Sequence, residues 1–474
     1  MRIASVPAPG EAIPVRLPLS IGLAYDAIRD RGIGRAFGGR KTLGCCPEGE
    51  LRARRVPGGL MPADHKRISG LSGNEIYFLE RMGYRPGQLC VGNSVVALGV
   101  ARGIGAGLST LAGGEIAAVT RLVHDGRTRA FERMMQEAAS CGGVGLTGVS
   151  FDVVNHGGNL EFITVGSTIH KSVVDAERSI TFSTSADVAR LYCQVDAGFR
   201  PIRFVFGNVA YSIGLGGSIA GGLKSLARGE VAEYTTIFDR TRHLALTRLT
   251  DEAKRCGANA VVGIETTITP LLGAQEMIMI GTASHHPLVD GLQLKPVTSD
   301  MTNEEMWNMV NVGFLPIRLV MGVSVYSLGF KGGVFSALQS LGGGEVEGLT
   351  QILYEARGKA LARIEADAER CGADEVVGVK THIYDLGGGL VEFMAIGTAV
   401  KKVAGAKTRS ASLPPQAVIQ DRETFVDASD SLGTTLNLGT TSTASARRTQ
   451  GGPVAIAIAI LIFAFYLFIH LVRR

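Results

Sequence analysis

The chain has 474 residues, a hydrophobic fraction of 46% and a formal net charge of +5. That length carries a prior of about three domains, and the charge is local, since residues 1–70 hold twelve Lys or Arg against six Asp or Glu and leave −1 for the rest. Near-neutral domains exclude a nucleic-acid footprint, and seven cysteines without a CxxC pair or signal peptide point to a reducing compartment rather than a disulfide framework.

Residues 1–73 read as a basic, irregular or disordered N-terminal segment, either an arm attracted to anionic lipid or a stretch ahead of a later start at Met61 or Met82. Beyond it the chain repeats itself. A step of 115 residues links Cys141, Cys256 and Cys371, each followed by Gly. The same step links Gly92, Gly207 and Gly322, then Glu115, Glu230 and Glu345, then Arg127, Arg242 and Arg357. The register slips only late: Gly166 to Gly281 is 115 residues, and Gly281 to Gly397 is 116. The copies are set at 74–172, 186–285 and 303–401, each the size of a compact domain.

In the second copy, Ile202 to Ile213 reads as a strand rich in β-branched and aromatic residues. A Gly-rich stretch follows to Gly229, and then Ala232 to Arg255 places apolar residues near a 3.6-residue period, as a helix does. That helix should stop at Cys256-Gly257, where glycine takes the left-handed conformation. Ala260 to Thr269 and Glu276 to Ala283 read as two strands joined by a turn near Leu272. The order predicts an α+β domain with one helix laid over a small antiparallel sheet. Three strands leave two open edges, so pairing between repeats or between chains is expected.

Gly-Ala-Asn-Ala-Val-Val-Gly-Ile at 257–264, Gly-Ala-Asp-Glu-Val-Val-Gly-Val at 372–379 and the closing Ile-Gly-Thr-Ala at 280–283 and 396–399 form a recurring combination. With the helical Arg three residues before Ala (Arg127/Ala130, Arg242/Ala245, Arg357/Ala360), it resembles the YbjQ-type heavy-metal-binding domain family. The first copy departs, with Cys-Gly-Gly-Val-Gly-Leu-Thr-Gly-Val at 141–149. The resemblance implies dodecin-like β-α-β-β subunits that form pentameric rings. Three tandem copies would then either stack as three rings of five chains or mix within one ring. The family name implies metal binding and no reaction.

Cys141, Cys256 and Cys371 are the candidate metal ligands, because thiolate suits a soft divalent metal. Each repeat supplies one Cys and no second ligand at metal spacing, and a small buried hydrophobe is the ordinary occupant of a helix end. Glu115, Glu230 and Glu345 stand twelve residues before Arg127, Arg242 and Arg357. They read either as a polar site at a ring mouth or as an ion pair within each copy. Glu161, Glu276 and Glu392 recur at the start of the last strand, where a charge keeps a strand end solvated. No recurring His or second acid completes an acid–base pair. The glycine runs at Gly103, Gly214 and Gly329 lack the Gly-Lys-Ser/Thr of a phosphate loop.

Residues 402–452, rich in Ser, Thr, Gly and Ala, read as a flexible linker with a reach of about 40 Å. Residues 453–472 are almost wholly apolar and would span roughly 30 Å as a helix, enough to cross a bilayer. The expectation is an α+β chain of three tandem YbjQ-like domains plus one C-terminal transmembrane helix, tail-anchored in a bacterial-type inner membrane with its repeats in the cytoplasm. Functionally this implies a non-enzymatic oligomeric scaffold, with soft-metal binding or a small-ligand site or enzyme at a ring pore as alternatives.

Overall fold

The computed structural model describes residues 69–97, 114–156, 159–171, 180–212, 229–272, 274–292, 296–327, 347–387 and 390–414. The basic segment to residue 68, the Gly-rich runs, Glu345, the linker beyond 414 and the apolar span 453–472 lie outside the described residues. Among the described residues, no helix is long and apolar enough to cross a membrane.

The first repeat runs α1 (Gly73–Arg81), β1 (Tyr84–Ala97), β2 (Gly114–Glu115), α2 (Ala117–Ser140), β3 (Gly145–Asn155), β4 (Asn159–Lys171) and β5 (Phe182–Ser183). The second follows as α3 (Val188–Asp196), β6 (Arg200–Ser212), β7 (Gly229–Glu230), α4 (Ala232–Arg255), β8 (Ala260–Leu271), β9 (Ala274–His285) and β10 (Val297–Thr298). The third comprises α5 (Asn303–Asn311), β11 (Phe314–Ser327), α6 (Glu347–Arg370), β12 (Glu375–Gly387) and β13 (Leu390–Lys402). The strand, long helix and hairpin expected from the sequence recur in every copy.

Two features extend the expected β-α-β-β unit. Each repeat opens on a nine-residue helix, and each of these has a side-chain cap: Ser72 with Glu75 and Thr302 with Glu305 form capping boxes, and Asp187 accepts from the Arg190 N–H. The connections also belong to the fold. β5 pairs in parallel with β3, and β10 with β8.

Each sheet has a three-stranded antiparallel centre in the order first, last, middle: β1-β4-β3, β6-β9-β8 and β11-β13-β12. The long helix lies directly on the first strand because the strand carries glycine there. A Cβ at Gly207 would stand 2.3 Å from the Ala245 carbonyl oxygen, and one at Gly322 would stand 2.0 Å from that of Ala360. The 115-residue recurrence of Gly92, Gly207 and Gly322 is therefore a close approach of helix to strand. At the other end of each helix, Gly142, Gly257 and Gly372 adopt φ of +72°, +72° and +67°, the left-handed stop expected at Gly257.

The short helices join the repeats. Phe78 and Leu79 of α1, Leu191 and Cys193 of α3, and Met306, Trp307 and Val310 of α5 share one buried cluster. Trp307 Nε1 donates to Asp196 at 2.7 Å, and the Ser410 hydroxyl donates to the same carboxylate at 2.7 Å. Residues 403–414, assigned from composition to the linker, thus lie against α3 and α5. The three repeats fall within one compact unit and share core, instead of standing as separate beads.

Candidate functional site

The recurring charges meet at the junctions between repeats. Arg127 lies mid-way along α2, on the face that meets the second repeat. Its two amino groups grip both oxygens of Glu276 on β9, the Nη2–Oε2 contact being 2.8 Å. Arg242 on α4 does the same one repeat later, with Nε 3.1 Å and Nη2 2.6 Å from the oxygens of Glu392 on β13. Side-chain exposure is 4% and 1% in the first pair and zero in the second. Asn208 braces Glu276 with a 2.9 Å hydrogen bond. Arg242 lies over the Tyr211 ring at 4.5 Å and over Phe238 at 5.3 Å.

Burial by itself would lower the Arg242 pKa; the carboxylate of Glu392 overrides that and holds it raised, so the guanidinium stays charged. Two charges are removed from water at each junction, and only bidentate geometry repays that cost. An offset of one position would leave both charges buried and unpaired. The pair therefore fixes which face of one repeat meets which strand of the next.

A second belt surrounds each pair. Glu115 on β2 accepts from Arg248 at 2.7 Å, and Glu230 on β7 accepts from Arg363 and Lys359, both at 2.7 Å. Burial pushes the Glu230 carboxyl up, but the hydrogen bonds from Lys359 and Arg363 outweigh it and leave the pKa below the ordinary value. β2 pairs with the end of β6, and β7 with the end of β11. The Ile116 N–H donates to the Ala210 carbonyl and the Val231 N–H to the Val325 carbonyl, each at 2.8 Å. Thr120 Oγ1 accepts from the Ala210 N–H and Thr235 Oγ1 from the Val325 N–H, each at 2.9 Å.

The ion pair expected between Glu115 and Arg127, or Glu230 and Arg242, within one copy does not form. The two-residue strand carries its Glu across to the next repeat, while the Arg twelve residues later reaches a different partner there. Glu276 and Glu392, expected at solvated strand ends, are buried instead.

The three cysteines occupy the C-caps of α2, α4 and α6, each half-buried. Cys141 Sγ donates to Gln88 Oε1 at 3.4 Å, and Cys371 Sγ to the Ala368 carbonyl at 3.2 Å. Burial raises the thiol pKa of Cys256 and Cys371, which favours the protonated form. Among the described residues, no three His, Cys, Asp or Glu gather as metal ligands.

Comparison with known proteins matches residues 84–170, 199–286 and 315–403 to one family, described as "Putative heavy-metal-binding" and designated YbjQ. The encapsulin nanocompartment protein Rv1762c of Mycobacterium tuberculosis is 30% identical over 243 residues, covering 49% of this chain and 90% of its own length. A UPF0145 protein of Thermoplasma acidophilum is 35% identical over 99 residues, 19% of this chain and 83% of its own. One from Archaeoglobus fulgidus is 42% identical over 80 residues, 17% of this chain and 74% of its own. No solved structure matches.

Proposed function

The chain belongs to the YbjQ heavy-metal-binding family, carrying its domain three times in tandem, and from that premise we propose that it is a non-enzymatic, self-associating scaffold tethered to a membrane. The observation that carries this reading is the reuse of one buried Arg–Glu junction between repeats one and two and between two and three. A contact that joins unlike faces of like units propagates, and it yields rings or filaments. The recurring carboxylates Glu276 and Glu392 are engaged by guanidinium groups, which removes them from acid–base work. The relative named for an encapsulin nanocompartment supports a setting in which many copies assemble. In this reading residues 453–472, an apolar run of spanning length, form the bilayer anchor, and the repeats lie on the cytoplasmic side.

Extraction of the full chain in mild detergent followed by mass measurement tests the reading. Particles of two or more 49.9 kDa chains are expected. A single-chain particle at micromolar concentration would overturn self-association, and quantitative release of the chain by alkaline carbonate would overturn the anchor.

A further inference from the structure

The row of repeats ends on two half-junctions. At the third repeat, Arg357 occupies the position of the buried Arg127 and Arg242, yet it is exposed and, among the described residues, makes no hydrogen bond or ion pair. Thr350, at the position of Thr120 and Thr235, is half-buried where those two are buried. Tyr354 is 67% exposed at the position of His124, whose ring packs against Phe206 of the following repeat at 4.9 Å.

At the first repeat the complementary half is open. Among the described residues β1 is the edge of its sheet, whereas β6 and β11 each carry a short strand from the preceding repeat. Val95 is 58% exposed, and its counterparts Ala210 and Val325 are fully buried. Glu161, the counterpart of Glu276 and Glu392, is oriented by Asn93 at 3.2 Å, as Asn208 orients Glu276. Where those two meet an arginine it meets, among the described residues, only the half-exposed His156 of its own hairpin, at 2.7 Å, which an incoming guanidinium would displace. Arg133 makes the backbone bond of Arg248 and Arg363, to the Asn93 carbonyl at 2.5 Å, without the carboxylate that those two receive from the repeat before.

We propose that the third repeat of one chain docks on the first repeat of a second copy, seating Arg357 on Glu161 and covering Val95. This rests on the scaffold reading and names its partner and its contact. The two half-faces are complementary in charge and continue an interface the chain already forms twice. Neither is self-complementary, so the contact is head-to-tail and every assembly built on it contains whole chains, hence repeats in multiples of three. A loose surface ion pair would contribute little. Here docking buries the pair together with Val95 and Tyr354, and arginine and tyrosine are residue types enriched among interface hot spots.

The test uses two full-chain variants whose altered side chains are exposed in the unassembled chain, so neither should disturb folding. Arg357→Glu disables the tail face, and Val95→Glu disables the head face. Each alone is expected to fall to the one-chain mass at concentrations where the wild type is assembled. Mixed in equal amounts, they retain one intact junction and are expected to give a particle of two chains and no more. Variants that keep the wild-type mass, with the wild type assembled, overturn this docking and leave the scaffold reading standing; a mixture that stays at one chain overturns it too. A wild type that is itself single-chain overturns both.

Discussion

Arg242 and Arg357 stand at equivalent sequence positions, yet one is fully buried on a carboxylate and the other is exposed. Removing one partner of a buried ion pair strands the other charge and costs about 3–5 kcal/mol. Arg242→Ala should therefore lower the thermal midpoint of the chain by several degrees, whereas Arg357→Ala in the unassembled chain should leave it within error. Equal shifts would show that the buried pair does not hold the junction. Glu230 provides the pH dependence. Its folded pKa is depressed, so its contribution is present above the ordinary carboxylate value of 4.5 and is lost as pH falls through the folded value. Between pH 6 and 3 the wild type should lose more stability than Glu230→Gln; parallel curves would contradict the pairing with Lys359 and Arg363. For the cysteines, zinc titration of the wild type and of a triple Cys141, Cys256, Cys371→Ala variant should give the same stoichiometry, and a loss of bound zinc in the variant would restore the metal reading. The sequence displays the Arg and Glu series plainly. It does not say which member of one meets which of the other, because Arg127 and Glu276 are 149 residues apart and only the docked fold joins them.

At the scale of elements, the long helices and their strands were legible because their signals are local. The helix read from Ala232 to Arg255 has those limits in the structure, with Gly257 beyond it. The short helices were missed. At nine residues they offer too little periodicity, although Ser72 before Glu75 and Thr302 before Glu305 were readable start signals. Strand glycines proved informative for a reason composition cannot show. Gly207 lets α4 touch β6, and an added Cβ would meet backbone at 2.3 Å and 2.5 Å. Since backbone cannot swing aside, Gly207→Ala should destabilise by about 1–3 kcal/mol, as overpacking does. A neutral result in denaturant titration would mean that the helix rides farther from the sheet.

At the scale of the molecule, the open edges foreseen for a three-stranded sheet are where the repeats join. β2 and β7 cover the ends of β6 and β11, and β1 remains at an edge. The structure shows the repeats of one chain side by side, sharing sheet edges and a core of short helices. This was beyond the sequence because a 115-residue period is compatible with any symmetry between copies. One head-to-tail contact, on this proposal, orders repeats within a chain and chains within an assembly. The most direct test is a density map of the full-length particle in detergent. It should place Arg357 of one chain on Glu161 of the next, in the geometry of Arg127 on Glu276; Arg357 left in solvent, or seated on another residue, would contradict it.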